Sequence, residues 1–102
     1  MAKEKVSIII PTYNRAHIIK KALDSVLAQT YPWFEVIIVD DGSTDNTREV
    51  IEAYEDERIR YYYTELNQGA SAARNYGLKK AQYNFIAFED SDDIWYNEKL
   101  EK

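Results

Sequence analysis

The sequence predicts a parallel α/β sheet, and three observations lead there. Short β-rich runs alternate with stretches of helical periodicity along the chain, the pattern of right-handed βαβ units. The first run, Val6 to Ile10, is almost continuously apolar, as a strand buried on both faces must be. The polar residues with the most chemistry gather directly after the strands, at the carboxyl ends where such sheets bind ligands.

The elements follow in order. Pro11 is expected to stop the first strand, and Asn14 to cap the helix behind it. From Ala16 to Gln29, the residues Ile18, Ile19, Ala22, Leu23, Val26 and Leu27 recur at helical spacing, with Lys20, Lys21 and Asp24 on the opposite face. Pro32 ends the connection. Phe34 to Val39 is the second strand, nearly all β-branched or aromatic. Asp40 to Thr44 reads as a loop, with Ser43 or Asp45 placed to cap a helix running to about Tyr54, its Val50, Ile51 and Tyr54 turned inward. Ile59 to Tyr63 is a third strand, Gly69 to Lys80 a helix rich in small residues, and Asn84 to Phe88 a fourth strand. The run Tyr61-Tyr62-Tyr63 reads as strand and packing residues.

Composition narrows the function. With 102 residues, 45% hydrophobic and 30% charged, the chain fits one ordinary globular domain. A net charge of −5 disfavours nucleic acid as a partner, because that binding needs a basic face. The absence of cysteine excludes disulfides, thiolate nucleophiles and zinc–cysteine sites. Val6 to Ile10 is too short an apolar run for a membrane span, which takes about 20 residues. Neither a G-x-G-x-x-G fingerprint nor a Walker A sequence occurs. The single histidine, His17, reads as an exposed residue of a first helical turn.

Four constellations carry chemistry. Glu89-Asp90-Ser91-Asp92-Asp93 sets four carboxylates within five residues after a strand. Their repulsion is relieved by a hard divalent cation, or by solvent if the run is an acidic turn capping a helix near Ile94. Asp40-Asp41-Gly42-Ser43 places a carboxylate able to accept from a base or ribose beside a glycine free to take positive φ, or else forms a plain strand-to-helix turn. Pro11-Thr12-Tyr13-Asn14-Arg15 offers Tyr13 as a stacking face or a half-buried loop aromatic. In the stretch from Asn67 to Gly77, the small residues suit close helix–sheet packing, while Arg74 can orient the acidic cluster or meet phosphate charge.

Together, Val6 to Asn14, Val39 to Asp45, Asn67 to Gly77 and Asp90-Ser91-Asp92-Asp93 resemble the family-2 glycosyltransferases in order and spacing. The resemblance covers Val6 to about Trp95. It implies a Rossmann-like three-layer α/β sandwich of GT-A type with a mainly parallel sheet. It also implies a nucleoside-diphosphate sugar donor (a UDP-sugar), an Mn²⁺ or Mg²⁺ ion, and inverting transfer to a glycan or lipid-linked acceptor in polysaccharide or cell-surface glycan synthesis. It assigns the nucleotide sugar to Pro11, Thr12, Tyr13, Asn14, Asp41, Arg74 and Asp92, with Tyr13 flanking the base and Asp41 contacting it. Asp90-Ser91-Asp92-Asp93 matches the D-x-D region, with Asp93 as the direct metal ligand and Asp92 and Asp90 beside it. A cytoplasmic location, at the inner face of the membrane, goes with that chemistry.

Three departures qualify the match. Tyr83 stands where a glycine often ends the third helix, so the helix must stop without a left-handed residue. Glu89 replaces an apolar residue. The family's acceptor-binding half and general base have no match up to Lys102. Residues 1–102 are thus expected to form one donor-binding domain, cut off before the acceptor half, and inactive in transfer alone. A non-catalytic interaction module, self-associating through an exposed edge, is a second reading. A receiver-like magnesium-binding signalling domain is a third; it needs an acidic pair after the first strand, where Pro11 and Thr12 stand.

Overall fold

The computed structural model describes residues 5–29, 33–64, 69–83 and 85–88. The described elements, in chain order, are β1 (Val6–Thr12), α1 (Ala16–Leu27), β2 (Phe34–Asp41), α2 (Thr47–Glu52), β3 (Ile59–Thr64), α3 (Ala70–Lys80) and β4 (Phe85–Phe88). The strands form one sheet in the order β3-β2-β1-β4, and every pair is parallel. The parallel α/β class read from the sequence is the observed one.

The layers follow from side-chain alternation along the strands. Ile8 and Ile10 of β1, with Val36 and Ile38 of β2, pack under Ile19, Leu23 and Val26 of α1 and Ile51 of α2. Ile9, Ile37 and Val39 point the other way and meet Ala73 of α3. The chain moves from β1 through β2 to β3 with both connecting helices on one face. It then turns back past β1 to β4, and right-handed crossover requires α3 to lie on the opposite face. The direction changes between β1 and β4, a topological switch point whose crevice opens at the carboxyl ends of the strands.

The helices occupy the expected places with corrected ends. In α1, Ile19, Ala22, Leu23 and Val26 are buried and Leu27 packs against the same cluster. The helix closes at Leu27, two residues before the expected Gln29. The second helix is shorter than expected, ending at Glu52; Tyr54 packs on the core from beyond it, its hydroxyl donating to Asp24 of α1. Small residues bring α3 against the sheet. A Cβ on Gly77 would sit 2.5 Å from Cγ2 of Ile9.

Two strands run further than the sequence suggested. β1 passes through Pro11 to Thr12, and β2 through Asp40 to Asp41. Pro11 is tolerated because it lies beyond Ile9, the last β1 residue paired with β4 among the described residues, where the ladder has one side to satisfy.

At the amino-terminal edge, a buried carboxylate ties three strands to the end of α3. Glu35 of β2 is 5% exposed. It accepts from the Ser7 hydroxyl at 2.7 Å, the Gln82 N–H at 2.9 Å and the Arg60 guanidinium at 2.9 Å. Arg60 also donates to the Lys80 carbonyl at 3.1 Å. With that carbonyl satisfied, α3 ends in an extended Ala81, φ −65° and ψ 134°, needing no left-handed residue. The stop without glycine expected from Tyr83 is thus explained.

Candidate functional site

The carboxyl-terminal edge gathers the residues singled out after the first two strands. Tyr13 follows β1 and is 41% exposed, whereas Pro11 and Thr12 are buried within the strand. Thr12 is in phase with Ile8 and Ile10, and its hydroxyl has no hydrogen-bond partner among the described residues.

Asn14 does not cap α1. Arg15 holds the N-cap position, without a side-chain cap bond. Asn14 takes φ 51°, a left-handed conformation that asparagine tolerates better than most residues. Its Oδ1 then reaches the next loop and accepts from the Thr44 N–H at 2.8 Å and the Asp45 N–H at 3.2 Å. In return, the Ser43 hydroxyl accepts the Asn14 N–H at 2.7 Å, and Asp45 accepts the Ala16 N–H at 3.2 Å. The loops after β1 and β2 are clasped into one unit.

Ser43 therefore serves the clasp. Asn46, rather than Ser43 or Asp45, holds the N-cap position of α2 without a side-chain cap bond. The helix start is steadied from one residue further out by Asp45. Its Oδ1 accepts both the Thr47 N–H, at 3.0 Å, and the Thr47 hydroxyl at the start of α2. Burial raises the Asp45 pKa, but the bonds from Thr47, Ala16 and its own N–H outweigh it, leaving Asp45 below the usual carboxylate range.

The two aspartates ending β2 have different tasks. Asp40 is fully buried; it accepts the Ser43 N–H at 2.9 Å and the Tyr61 hydroxyl. Burial, then that bond to Asp40, push the Tyr61 phenol above the ordinary tyrosine range, so it remains a donor. Asp40 thus fixes the turn around Gly42, whose φ of 90° needs glycine. The tyrosine run is strand and packing, with Tyr62 edge-on to Tyr76 at 5.9 Å and Arg48 over Tyr63 at 4.7 Å.

Asp41, on the α3 side of the sheet, is 6% exposed. Its Oδ1 accepts the Thr64 hydroxyl at 3.1 Å and its Oδ2 the Gly69 N–H at 2.7 Å. Gly69 is the N-cap of α3, so this carboxylate lies where the helix dipole favours negative charge. Arg74 lies half-buried further along the same helix. Thr64 was missed in the sequence, which suggested a third strand ending at Tyr63. The missing signal is register: Thr64 stands opposite Asp41 on the neighbouring strand.

The other assigned residues, Asp90, Asp92 and Asp93, lie outside the described residues, as do Glu89, Asn67 and Gln68. β4 runs parallel to β1, so its last residue, Phe88, points the chain toward the edge that carries Tyr13 and Asp41. Among the described residues, no group of three His, Asp or Glu side chains could hold a metal, and no helix is long and apolar enough to cross a membrane.

A parallel three-layer sheet with polar loops clasped at its switch-point edge is the frame of a nucleotide-binding α/β protein. The model of glycosyl transferase family 2 matches residues 7–102, and the chain belongs to that family. The Bacillus subtilis protein TuaG is 51% identical over 102 residues, which cover 98% of this chain and 40% of that protein. The Escherichia coli UDP-Glc:alpha-D-GlcNAc-diphosphoundecaprenol beta-1,3-glucosyltransferase WfgD is 50% identical over 96 residues, covering 94% of this chain and 38% of that protein. Among solved structures, S. aureus TarS in complex with UDP-GlcNAc superposes with a TM-score of 0.90 at 40% identity, over 95% of this chain and 29% of that one. The Pyrobaculum calidifontis mannosyltransferase PcManGT, in complex with GDP-Man and Mn²⁺, gives a TM-score of 0.83 at 32% identity, over 93% of this chain and 29% of that one. The chain thus spans about two-fifths of the length of these curated relatives.

Proposed function

We propose that this chain is the donor-binding part of an inverting glycosyltransferase that uses a UDP-sugar and serves a glycan or lipid-linked acceptor. The observation that carries this reading is Asp41, a buried carboxylate oriented at the N-terminus of α3 on the edge where Tyr13 is exposed. A carboxylate accepts but cannot donate, so it suits a base that presents an N–H, while Tyr13 offers a ring to stack on it. TarS bound to UDP-GlcNAc and the UDP-Glc named for WfgD support the uridine choice.

The donor set after β4 is all carboxylate oxygen, which fits Mn²⁺ or Mg²⁺. Asp93, with Asp92 and Asp90, would hold the ion. When bound, such an ion neutralises diphosphate charge and stabilises the leaving group. Arg74 would add fixed positive charge from α3.

Calorimetric titration of UDP into the 102-residue chain, with Mn²⁺ and with EDTA, tests this. Binding should require the cation, and Asp93→Ala should lose the cation-dependent part. Equal binding in EDTA overturns the metal bridge, and no binding in either condition overturns the donor reading.

A further inference from the structure

Asp41 is held by donors from two elements that are separate in sequence. Thr64 closes β3 and faces Asp41 in register; Gly69 begins α3. Because Thr64 bonds one carboxylate oxygen and Gly69 the other, at 3.1 and 2.7 Å, the carboxylate cannot turn about its last bond without losing both contacts. The Gly69 donor is backbone and is present whatever side chain stands there. The Thr64 donor is a side chain, so it is a contact that substitution can remove.

We propose that Thr64 is a positioning residue for nucleotide recognition. By fixing the plane of Asp41, it sets a preference for bases with a ring N–H on the pairing edge, N3 of uracil or N1 of guanine, over cytosine, whose N3 carries a lone pair there beside its amino group. The inference rests on the donor-site reading above and adds to it the residue that sets base selectivity. A carboxylate held in one plane aims its lone pairs in fixed directions, so a ring N–H meets an acceptor and the lone pair of an unprotonated ring nitrogen meets repulsion. A carboxylate free to turn discriminates less, since it can swing away from the wrong base.

The test compares UDP and CDP binding, in Mn²⁺, to the unaltered chain and to Thr64→Val, Thr64→Ala and Thr64→Ser. Valine keeps the volume and removes the hydroxyl. Thr64→Val is expected to weaken UDP about tenfold and CDP less than about threefold, the scale set by one hydrogen bond to a charged group. The UDP-to-CDP ratio should therefore fall, and Thr64→Ser should restore it. A purely structural role would lower the melting temperature and weaken both nucleotides alike, and that outcome overturns the proposal. So does an unaltered chain that binds UDP and CDP equally. Should valine prevent folding, Thr64→Ala gives the same comparison. An unaltered chain that binds neither nucleotide would overturn the donor reading itself, which separates that failure from this one.

Discussion

At Gly77 the separation of α3 from the sheet is set by an atom that is missing. An added Cβ would lie 2.5 Å from Cγ2 of Ile9 and 3.4 Å from Cγ2 of Val39, both fully buried side chains with no room to retreat. Alanine in place of glycine gains up to about 1 kcal/mol of helix propensity, but forcing a methyl into a packed core costs about 1–3 kcal/mol. Packing should win, so Gly77→Ala is expected to destabilise the chain by roughly 1–2 kcal/mol, read as a lower urea midpoint at unchanged slope. An unchanged midpoint would mean that α3 stands further from β1 than described. The close packing was legible because small residues cluster in the sequence of α3. Asp41 was legible too, as an acid at a strand-end turn. Thr64 was not, since 23 residues separate it from Asp41 and only strand register joins them. Glu35 was read as one more strand residue, because a lone glutamate gives no sign that Ser7, Arg60 and Gln82 will converge on it.

Among the elements, α2 shows how a helix of six residues is started by side chains outside it. Asp45 satisfies Thr47 at its first residue and reaches back to Ala16 at the start of α1, so one carboxylate serves two helix beginnings. Its folded pKa lies below the ordinary aspartate range, so the stabilisation is present above that range and is lost as pH falls through the folded pKa. Acid titration should therefore show the unaltered chain losing more stability below about pH 4 than Asp45→Asn, which carries no charge to protonate. Parallel losses in the two proteins would count against the linkage. The sequence indicated every described helix and strand, because apolar periodicity survives into the fold, but it misplaced several ends. Pro11 and the Asp40-Asp41 pair looked like loop residues by propensity; pairing with neighbouring strands extended β1 and β2 through them. Asn14 looked like a cap by position, yet the left-handed turn it adopts aims it at the next loop instead.

For the whole molecule, alternation of elements predicts a parallel sheet but not its strand order, which depends on where the fourth strand returns. The β3-β2-β1-β4 order makes the carboxyl edge at β1 a place where loops from separate connections meet, and the Asn14 clasp joins two of them. A ligand gripped there touches two loops that the clasp already joins, so binding should stabilise the fold as a unit rather than order one loop. If UDP and a divalent cation bind only the folded chain, free nucleotide at 100 times its Kd adds about 2.7 kcal/mol to stability. In a domain of this size each kilocalorie raises Tm by about 4–8 °C, which gives an expected rise on the order of 10–20 °C. The melting curve should move with UDP and Mn²⁺ together and scarcely with either alone. In Thr64→Val the same total UDP should give a smaller rise, because weaker binding lowers the ratio of free nucleotide to Kd. A shift equally large with EDTA would remove the cation from the account while keeping the nucleotide. No shift with any combination would leave the fold intact and show that its clasped edge does not grip this class of ligand.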